Sequence, residues 1–179
     1  MNEFTRAHTT LLGTTGAVFS PCKLYRYRLW RTWDASRPPL NFLMLNPSTA
    51  DELANDPTVE RCERRAQEYG FGGLVVTNLF AWRSTDRAVL RRVPEPVGEQ
   101  NDAYILGCAQ EAGTVICAWG NDGGWKGRSR AVLAMLCAAN GIAAKLHALR
   151  ITGAGEPEHP LYVGYDHKPQ LLSELRKCA

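Results

Sequence analysis

The stretch Leu40-Asn41-Phe42-Leu43-Met44-Leu45 is a nearly continuous apolar run that leads directly into Asn46-Pro47-Ser48. A second run, Gly73 to Phe80, carries an asparagine near its end, and a third covers Thr114 to Gly120. A weaker fourth run follows at Lys145 to Leu149. Because strands covered on both faces have continuous rather than alternating apolar sequences, these runs indicate parallel central strands.

Helices are predicted between the runs. Asp56 can cap a helix whose first residue is Pro57, and apolar residues recur at helical spacing from Val59 until Gly70. Further helices are predicted to start at Asn101, to cover Arg128 to Asn140 and to cover Lys168 to Lys177. The alternation of strands and helices predicts an α/β fold, namely a three-layer α/β/α sandwich with a mainly parallel central sheet.

Upstream of the first run, two short segments predict an N-terminal antiparallel hairpin, Ala17 to Phe19 and Tyr25 to Trp30. The second segment alternates aromatic or apolar residues with basic ones, which is typical of a half-buried strand. Residues 1–15 are polar and rich in threonine, so we expect a loose arm there. The length of 179 residues predicts one domain over 1–179.

The composition narrows the class of protein. With 45% hydrophobic and 22% charged residues, the chain is neither disordered, collagenous nor a coiled coil. No apolar stretch is long enough for a membrane span and the first residues lack a signal-peptide core, so we expect a cytoplasmic protein. The six cysteines include no C-x-x-C pair, so zinc-ribbon or iron–sulfur ligation is not indicated. No metal and no other cofactor is expected. A formal net charge of +3 does not by itself identify a nucleic-acid binder.

Ligands of open α/β sheets bind outside the carboxyl ends of the strands, and polar or aromatic residues follow each predicted strand. Each of these candidate site residues also has a purely structural explanation. Asn46 precedes a proline, as residues in turns often do, and Asp56 can be only a helix cap. Asn78 lies inside an apolar run and needs hydrogen-bond partners, which a turn or a ligand could supply. The loop Gly120 to Gly127 resembles a phosphate cradle but lacks the spacing of a nucleotide-binding loop.

Four short motifs in this order resemble the uracil-DNA glycosylase superfamily over about residues 40–165. They are Met44-Leu45-Asn46-Pro47-Ser48, Val76-Thr77-Asn78-Leu79, Ala118-Trp119-Gly120 and His159-Pro160-Leu161. The sequence is also similar to a family of short bacterial and phage proteins known as a domain of unknown function. Ser48 and Leu161 stand where the superfamily commonly has glycine and serine, which implies a base other than uracil.

The resemblance implies a monofunctional DNA N-glycosylase that flips a damaged or enzymatically modified base out of the DNA and hydrolyses its N-glycosidic bond. Repair, or defence against phage with modified DNA, would be its role. Asn46 would position the water, Asp51 or Asp56 would supply negative charge, and His159 would donate to the leaving base. Asn78 would bind the base, and the stacking candidates are Phe80, Trp82 and Tyr162.

DNA is the implied partner, and a membrane is not. The sugar–phosphate backbone of the DNA is expected to contact residues beside the predicted site: Ser48, Thr49, Arg83, Trp119, Gly120, Lys126 and Arg128. A monomer is the default expectation, although no sequence feature fixes the oligomeric state. Two other functions stay open at this point: a non-catalytic nucleic-acid-binding module, and a hydrolase of nucleosides or nucleotides that uses the same pocket.

Overall fold

The computed structural model describes residues 3–11 and 13–175. In that part of the chain eight strands form one sheet with the order β1-β2-β3-β5-β4-β6-β7-β8. Their bounds are Phe4–Thr10 (β1), Gly13–Phe19 (β2), Arg26–Thr32 (β3), Pro39–Met44 (β4), Gly73–Asn78 (β5), Thr114–Cys117 (β6), Leu146–Ala148 (β7) and Gln170–Leu171 (β8). The helices are Pro57–Glu68 (α1), Arg87–Arg92 (α2), Asn101–Glu111 (α3), Arg128–Ala138 (α4) and Leu172–Leu175 (α5).

The prediction of a sandwich with a mainly parallel sheet is wrong, because the sheet is mixed. The pairs β1–β2, β2–β3, β3–β5 and β7–β8 are antiparallel, whereas β4–β5, β4–β6 and β6–β7 are parallel. The predicted N-terminal hairpin is present as β2 and β3, but it is not a separate unit. Because β3 pairs with β5 from Leu29 to Thr32, the hairpin extends the central sheet with antiparallel strands.

Within residues 3–11 and 13–15, the structure shows strands where a loose arm is predicted over residues 1–15. Phe4–Thr10 forms β1, which pairs with β2 along its whole length, and β2 begins at Gly13. Every residue of β1 is exposed, so the strand has no buried face and its sequence shows no apolar alternation. Its main-chain pairing with β2 therefore left no sign in the hydrophobic pattern.

The parallel strands separate two apolar clusters, one on each face. Leu40, Phe42 and Met44 of β4 pack with α1, whose Val59, Cys62 and Ala66 are buried. Leu43 and Leu45 point to the opposite face, where the cluster includes residues of α3 and α4. Because successive side chains of a strand point to opposite faces, the continuous apolar run of β4 supplies both clusters.

Helix α1 begins and ends close to where the sequence predicts. Asp56 is its N-cap and Pro57 its first residue, and the Asp56 side chain accepts hydrogen bonds from the main-chain nitrogens of Thr58 and Val59. The final predicted helix, Lys168 to Lys177, is instead the short pair β8 and α5, and its last two residues lie outside the described part of the chain. No helix among residues 3–11 and 13–175 combines the length and apolar composition needed to cross a membrane.

Strand β4 lies between β5 and β6. The chain leaves β4 through α1 to reach β5 on one side, and then returns through α2 and α3 to β6 on the other. At such a reversal the loops after neighbouring parallel strands diverge and leave a crevice at their carboxyl ends. The loops after β4 and β6 are therefore the place where a site is expected.

Candidate active site

A small polar cavity lies at the carboxyl end of β4. Its volume is about 120 Å³. Residues from six segments of the chain line it: Arg26, Met44, Leu45, Asn46, Ser48, Asp56, Thr58, Val59, Ser84, Thr85, Arg87, Trp119 and His159. Three of the four predicted catalytic residues are among them, namely Asn46, Asp56 and His159, although they are far apart in the sequence.

The side-chain amide of Asn46 is held in one orientation. Its Nδ2 donates to the carbonyl oxygens of Pro47 at 3.0 Å and of Ser84 at 2.8 Å. Ser84 in turn donates its main-chain N–H to the carbonyl of Pro47, which joins the loops after β4 and β5. Because both amide hydrogens are used in this way, Oδ1 is the atom that Asn46 offers to a ligand, and it can only accept a hydrogen bond.

Asp56 has two roles in the structure. Its Oδ1 accepts the hydrogen bonds that cap α1, at 3.0 Å from Thr58 N and 2.9 Å from Val59 N. The same residue lines the cavity, where the second carboxylate oxygen is free of such bonds within the described residues. The capping role and the predicted functional role are therefore compatible in one side chain.

His159 is the third convergent residue, and it is uncharged near neutral pH. The pKa of His159 is lowered from 6.5 to about 4, mainly by burial and also by the positive charge of Arg87, whereas Asp56 opposes the shift. Its Nδ1 accepts a hydrogen bond from the main-chain N–H of Leu161 at 3.4 Å. The neutral ring therefore carries its proton on Nε2, which is available as a donor.

Other predicted site residues lie outside the cavity. Asp51 accepts hydrogen bonds from the main-chain nitrogens of Leu53 and Ala54, which lower the pKa of its carboxyl group, and it shapes its own turn. Asn78 is 1% exposed, and neither amide atom has a hydrogen-bond partner among the described residues. Its partner in the register is Met44, which lines the cavity.

The three aromatic stacking candidates are in different environments. Phe80 is wholly buried in the core and packs against Trp125 with ring centroids 5.0 Å apart. Trp82 makes an edge contact with Tyr25 at 5.2 Å. Tyr162 is 63% exposed, and its ring centroid lies 5.9 Å from that of His159. Tyr162 is therefore the exposed one of the three candidates, and its ring lies beside His159 of the cavity.

Some of the residues predicted to contact the DNA backbone lie at the cavity, and the others lie elsewhere. Ser48 and Trp119 line the cavity, and Thr49 and Gly120 adjoin them in the chain. Arg83 lies over the ring of Phe19, and exposed Lys126 lies over that of Trp125. Arg128 is buried, donates to the carbonyl of Leu79 and pairs with Asp102, so its guanidinium holds the fold together.

Packing requires one glycine of the loop after β6, Gly123. A Cβ atom on Gly123 would lie 1.9 Å from the ring of Trp119, so the indole needs that glycine. The indole Nε1 donates to Glu156 at 2.6 Å, and Ser129 donates to the same carboxylate at 3.0 Å. The loop therefore fixes the Trp119 wall of the cavity.

Arg26 and Ser84 line the cavity but were missed as site residues from the sequence. Arg26 lies at the start of β3, where basic residues alternate with apolar ones, and this pattern predicts a solvent-facing arginine. The structure instead buries it to 2% exposure. The one feature of the sequence that could have indicated a site residue was the position of Arg26 at a strand end. The alternation of basic and apolar residues led instead to the prediction of an exposed side chain.

The fold and the cavity define an α/β protein with a mixed sheet and a polar site at the carboxyl ends of its parallel strands. The family model described as "Protein of unknown function (DUF1643)" matches residues 26–161. The chain belongs to this family, and the matched region contains every residue that lines the cavity. No curated protein and no solved structure matches the chain.

Proposed function

We propose that the protein is a DNA glycosylase that hydrolyses the N-glycosidic bond of a damaged or enzymatically modified base, as the resemblance to the uracil-DNA glycosylase superfamily implies. The convergence of Asn46, Asp56 and His159 on one cavity carries the proposal. The hydrolysis needs an oriented water, a negative charge near the sugar cation and a donor for the departing base. These three residues offer an acceptor, a carboxylate and a neutral donor.

Each residue has a role that its contacts allow. Asn46 Oδ1 accepts a hydrogen bond from the water and orients it, because the amide is fixed by Pro47 and Ser84. The free carboxylate oxygen of Asp56 stabilises the positive charge that develops on the sugar and takes the proton of the water. His159 donates from Nε2 to the departing base.

The size of the cavity supports a flipped base as the occupant. Sites for drug-sized ligands commonly measure about 300–1,000 Å³. The cavity here, at about 120 Å³, takes one small group while the rest of a ligand stays outside. A base that is turned out of a DNA strand has this form, because sugar and phosphates remain in the strand. Asn78 does not line the cavity, although both of its buried amide atoms lack a partner among the described residues and its sheet neighbour Met44 does line it.

The test is release of bases from genomic DNAs that differ in base modification, with mass spectrometry of the free bases. We expect one modified base to be released by the wild-type chain, and the rate to fall about 100- to 1,000-fold in Asn46→Ala. The control is Asn140→Ala, an asparagine after α4 that does not line the cavity. Release that is equally fast in both variants would contradict the assigned role.

The same experiment separates the two alternatives. DNA binding without release of any base, unchanged in Asn46→Ala and His159→Ala, would identify a non-catalytic binding module. Release of a base from mononucleotides but not from DNA would identify a nucleoside or nucleotide hydrolase. Intact DNA throughout a broad panel of modified bases would contradict the glycosylase.

A further inference from the structure

Another cavity lies on the opposite side of β3 from the polar cavity. It is an open groove of about 510 Å³, and sites for small ligands commonly measure about 300–1,000 Å³. Tyr25 and Tyr27 line this groove, whereas Arg26, between them in the chain, lines the polar cavity. Because successive side chains of a strand point to opposite faces, the groove is a separate site.

Aromatic rings form one wall of the groove. The rings of Tyr25 and Tyr27 are nearly parallel, with an angle of 8° between them and centroids 6.4 Å apart. The ring of Tyr104 in α3 continues the stack, with its centroid 5.4 Å from that of Tyr27. Gly98 lies against these rings, because a Cβ atom at this position would be 2.8 Å from the ring of Tyr25. The wall therefore offers aromatic surface to a ligand, and Val97 adds an apolar side chain beside it.

The charged residues that line the groove are all negative. Glu3, Glu95 and Glu99 line it and are exposed, and within the part of the chain that the structure describes none of them forms an ion pair. Burial raises the pKa of Tyr25, and the nearby charge of Glu95 raises it further. Burial and the charge of Glu99 act in the same way on Tyr27. Because the formal net charge of the whole chain is +3, this excess of negative charge is local to the groove, and it favours a cationic ligand.

We propose that this groove binds a small linear polyamine, in which methylene chains join two or more ammonium groups. The ammonium groups bind the carboxylates and lie over the faces of the tyrosine rings, which attract cations, and the methylene groups contact the rings and Val97. The volume is that of a small-ligand site, which favours a small cation over a basic segment of another protein. An aromatic wall favours an organic cation over a metal ion such as Ca²⁺, which binds oxygen ligands. The inference is independent of the proposed function, because none of these groove residues lines the polar cavity.

The test is isothermal titration calorimetry of the full chain with spermidine, a linear triamine, at physiological ionic strength. We expect saturable binding to wild type. The double variant Glu95→Gln with Glu99→Gln should weaken this binding about 3- to 30-fold, because each exposed ion pair contributes modestly. The control, Glu60→Gln with Glu174→Gln, removes the same charge at exposed glutamates outside the groove. It should stay within about twofold of wild type, since salt screens distant charges.

A second pair of variants tests the aromatic wall. Tyr25→Leu keeps an apolar side chain but removes the ring, so spermidine binding should weaken about 2- to 5-fold. Tyr25→Phe keeps the ring and should bind spermidine as wild type does. The uncharged probe 1,8-octanediol, which has a chain of similar length and no ammonium group, should not bind.

Four results would overturn the inference. The first is no saturable binding of spermidine by wild type, and the second is an equal loss of binding in the two double variants. The third is tighter binding of Ca²⁺ than of spermidine in the groove, which would identify a metal site. The fourth is binding of a tetralysine peptide without binding of spermidine, which would identify a basic protein partner.

Discussion

At the scale of single residues, the histidine of the cavity couples the site to pH. The pKa of His159 is lowered from 6.5 to about 4, mainly by burial. Between these two values the unfolded chain binds a proton at this residue and the folded chain does not. The free energy of unfolding therefore falls as the pH falls from 6.5 to 4, and above 6.5 this contribution to the pH dependence is absent.

His159→Gln should remove that part of the pH dependence, because glutamine does not titrate. We expect the wild-type free energy of unfolding to drop between pH 6.5 and 4 by at most about 3 kcal/mol more than that of the variant. Urea unfolding at several pH values measures the difference, with His147→Gln, at a half-buried histidine of β7, as control. Parallel curves for wild type and His159→Gln would contradict the lowered pKa.

At the scale of elements, the start of α1 combines the capping role of Asp56 with the catalytic role proposed for it. Asp56 caps the helix with one carboxylate oxygen and also lines the cavity. Asparagine caps helices about as well as aspartate, whereas alanine does not. Two substitutions at one position can therefore separate the roles.

Asp56→Asn should keep the free energy of unfolding within about 1 kcal/mol of wild type, and Asp56→Ala should lower it by about 1–2 kcal/mol. Both should lose base release, because both remove the negative charge. Urea unfolding and base release from modified DNA measure the two effects. Full release by Asp56→Asn would show that the residue is only a cap.

The elements also show how far the sequence predicts this structure. The strands β4, β5 and β6 and the helix α1 were predicted, because each has its own apolar pattern or cap within a few residues. The pairing of β3 with β5 was not, since main-chain partners distant in the sequence leave no periodicity in either strand. Strand β1, exposed on both faces, has no pattern to detect.

The site could be predicted in part for the same reason. Asn46, Asp56 and His159 follow strands or start a helix, and the rule that ligands bind at carboxyl strand ends selects such positions. Arg26 was missed because charge alone predicts exposure, and only the three-dimensional packing shows that this guanidinium is enclosed. Phe80 and Arg128 were assigned to the site from their positions, but their side chains turn into the interior.

At the scale of the whole molecule, α1 holds the segment that follows His159. Arg65 is 0% exposed and donates from Nη2 to the carbonyls of Val163 and Gly164 at 2.7 and 3.0 Å. Its guanidinium lies 4.5 Å from the ring centre of Tyr165. These contacts join residues about a hundred positions apart in the sequence. They hold the segment after His159 against α1.

Arg65→Met should lower the free energy of unfolding by about 1–3 kcal/mol, since it leaves the carbonyl of Gly164 without its donor and that of Val163 with Arg61 alone. The control is Arg64→Met, one residue earlier, whose guanidinium also lies over Tyr165 but is exposed. That change should stay within about 0.5 kcal/mol of wild type. Urea unfolding compares the two, and similar losses would show that the ring contact, and not the carbonyl bonds, matters.

The fixed amide of Asn46 has a consequence for any occupant of the cavity. Because both of its amide hydrogens bind Pro47 and Ser84, the Asn46 side chain cannot flip to exchange Oδ1 and Nδ2 when a ligand binds. Asn46 Oδ1 and the carboxylate of Asp56 can therefore only accept hydrogen bonds. Arg26 and the Nε2 of His159 have the opposite polarity. A ligand must therefore offer hydrogen-bond donors to Asn46 and Asp56 and acceptors to Arg26 and His159, which restricts the orientations it can take in the cavity.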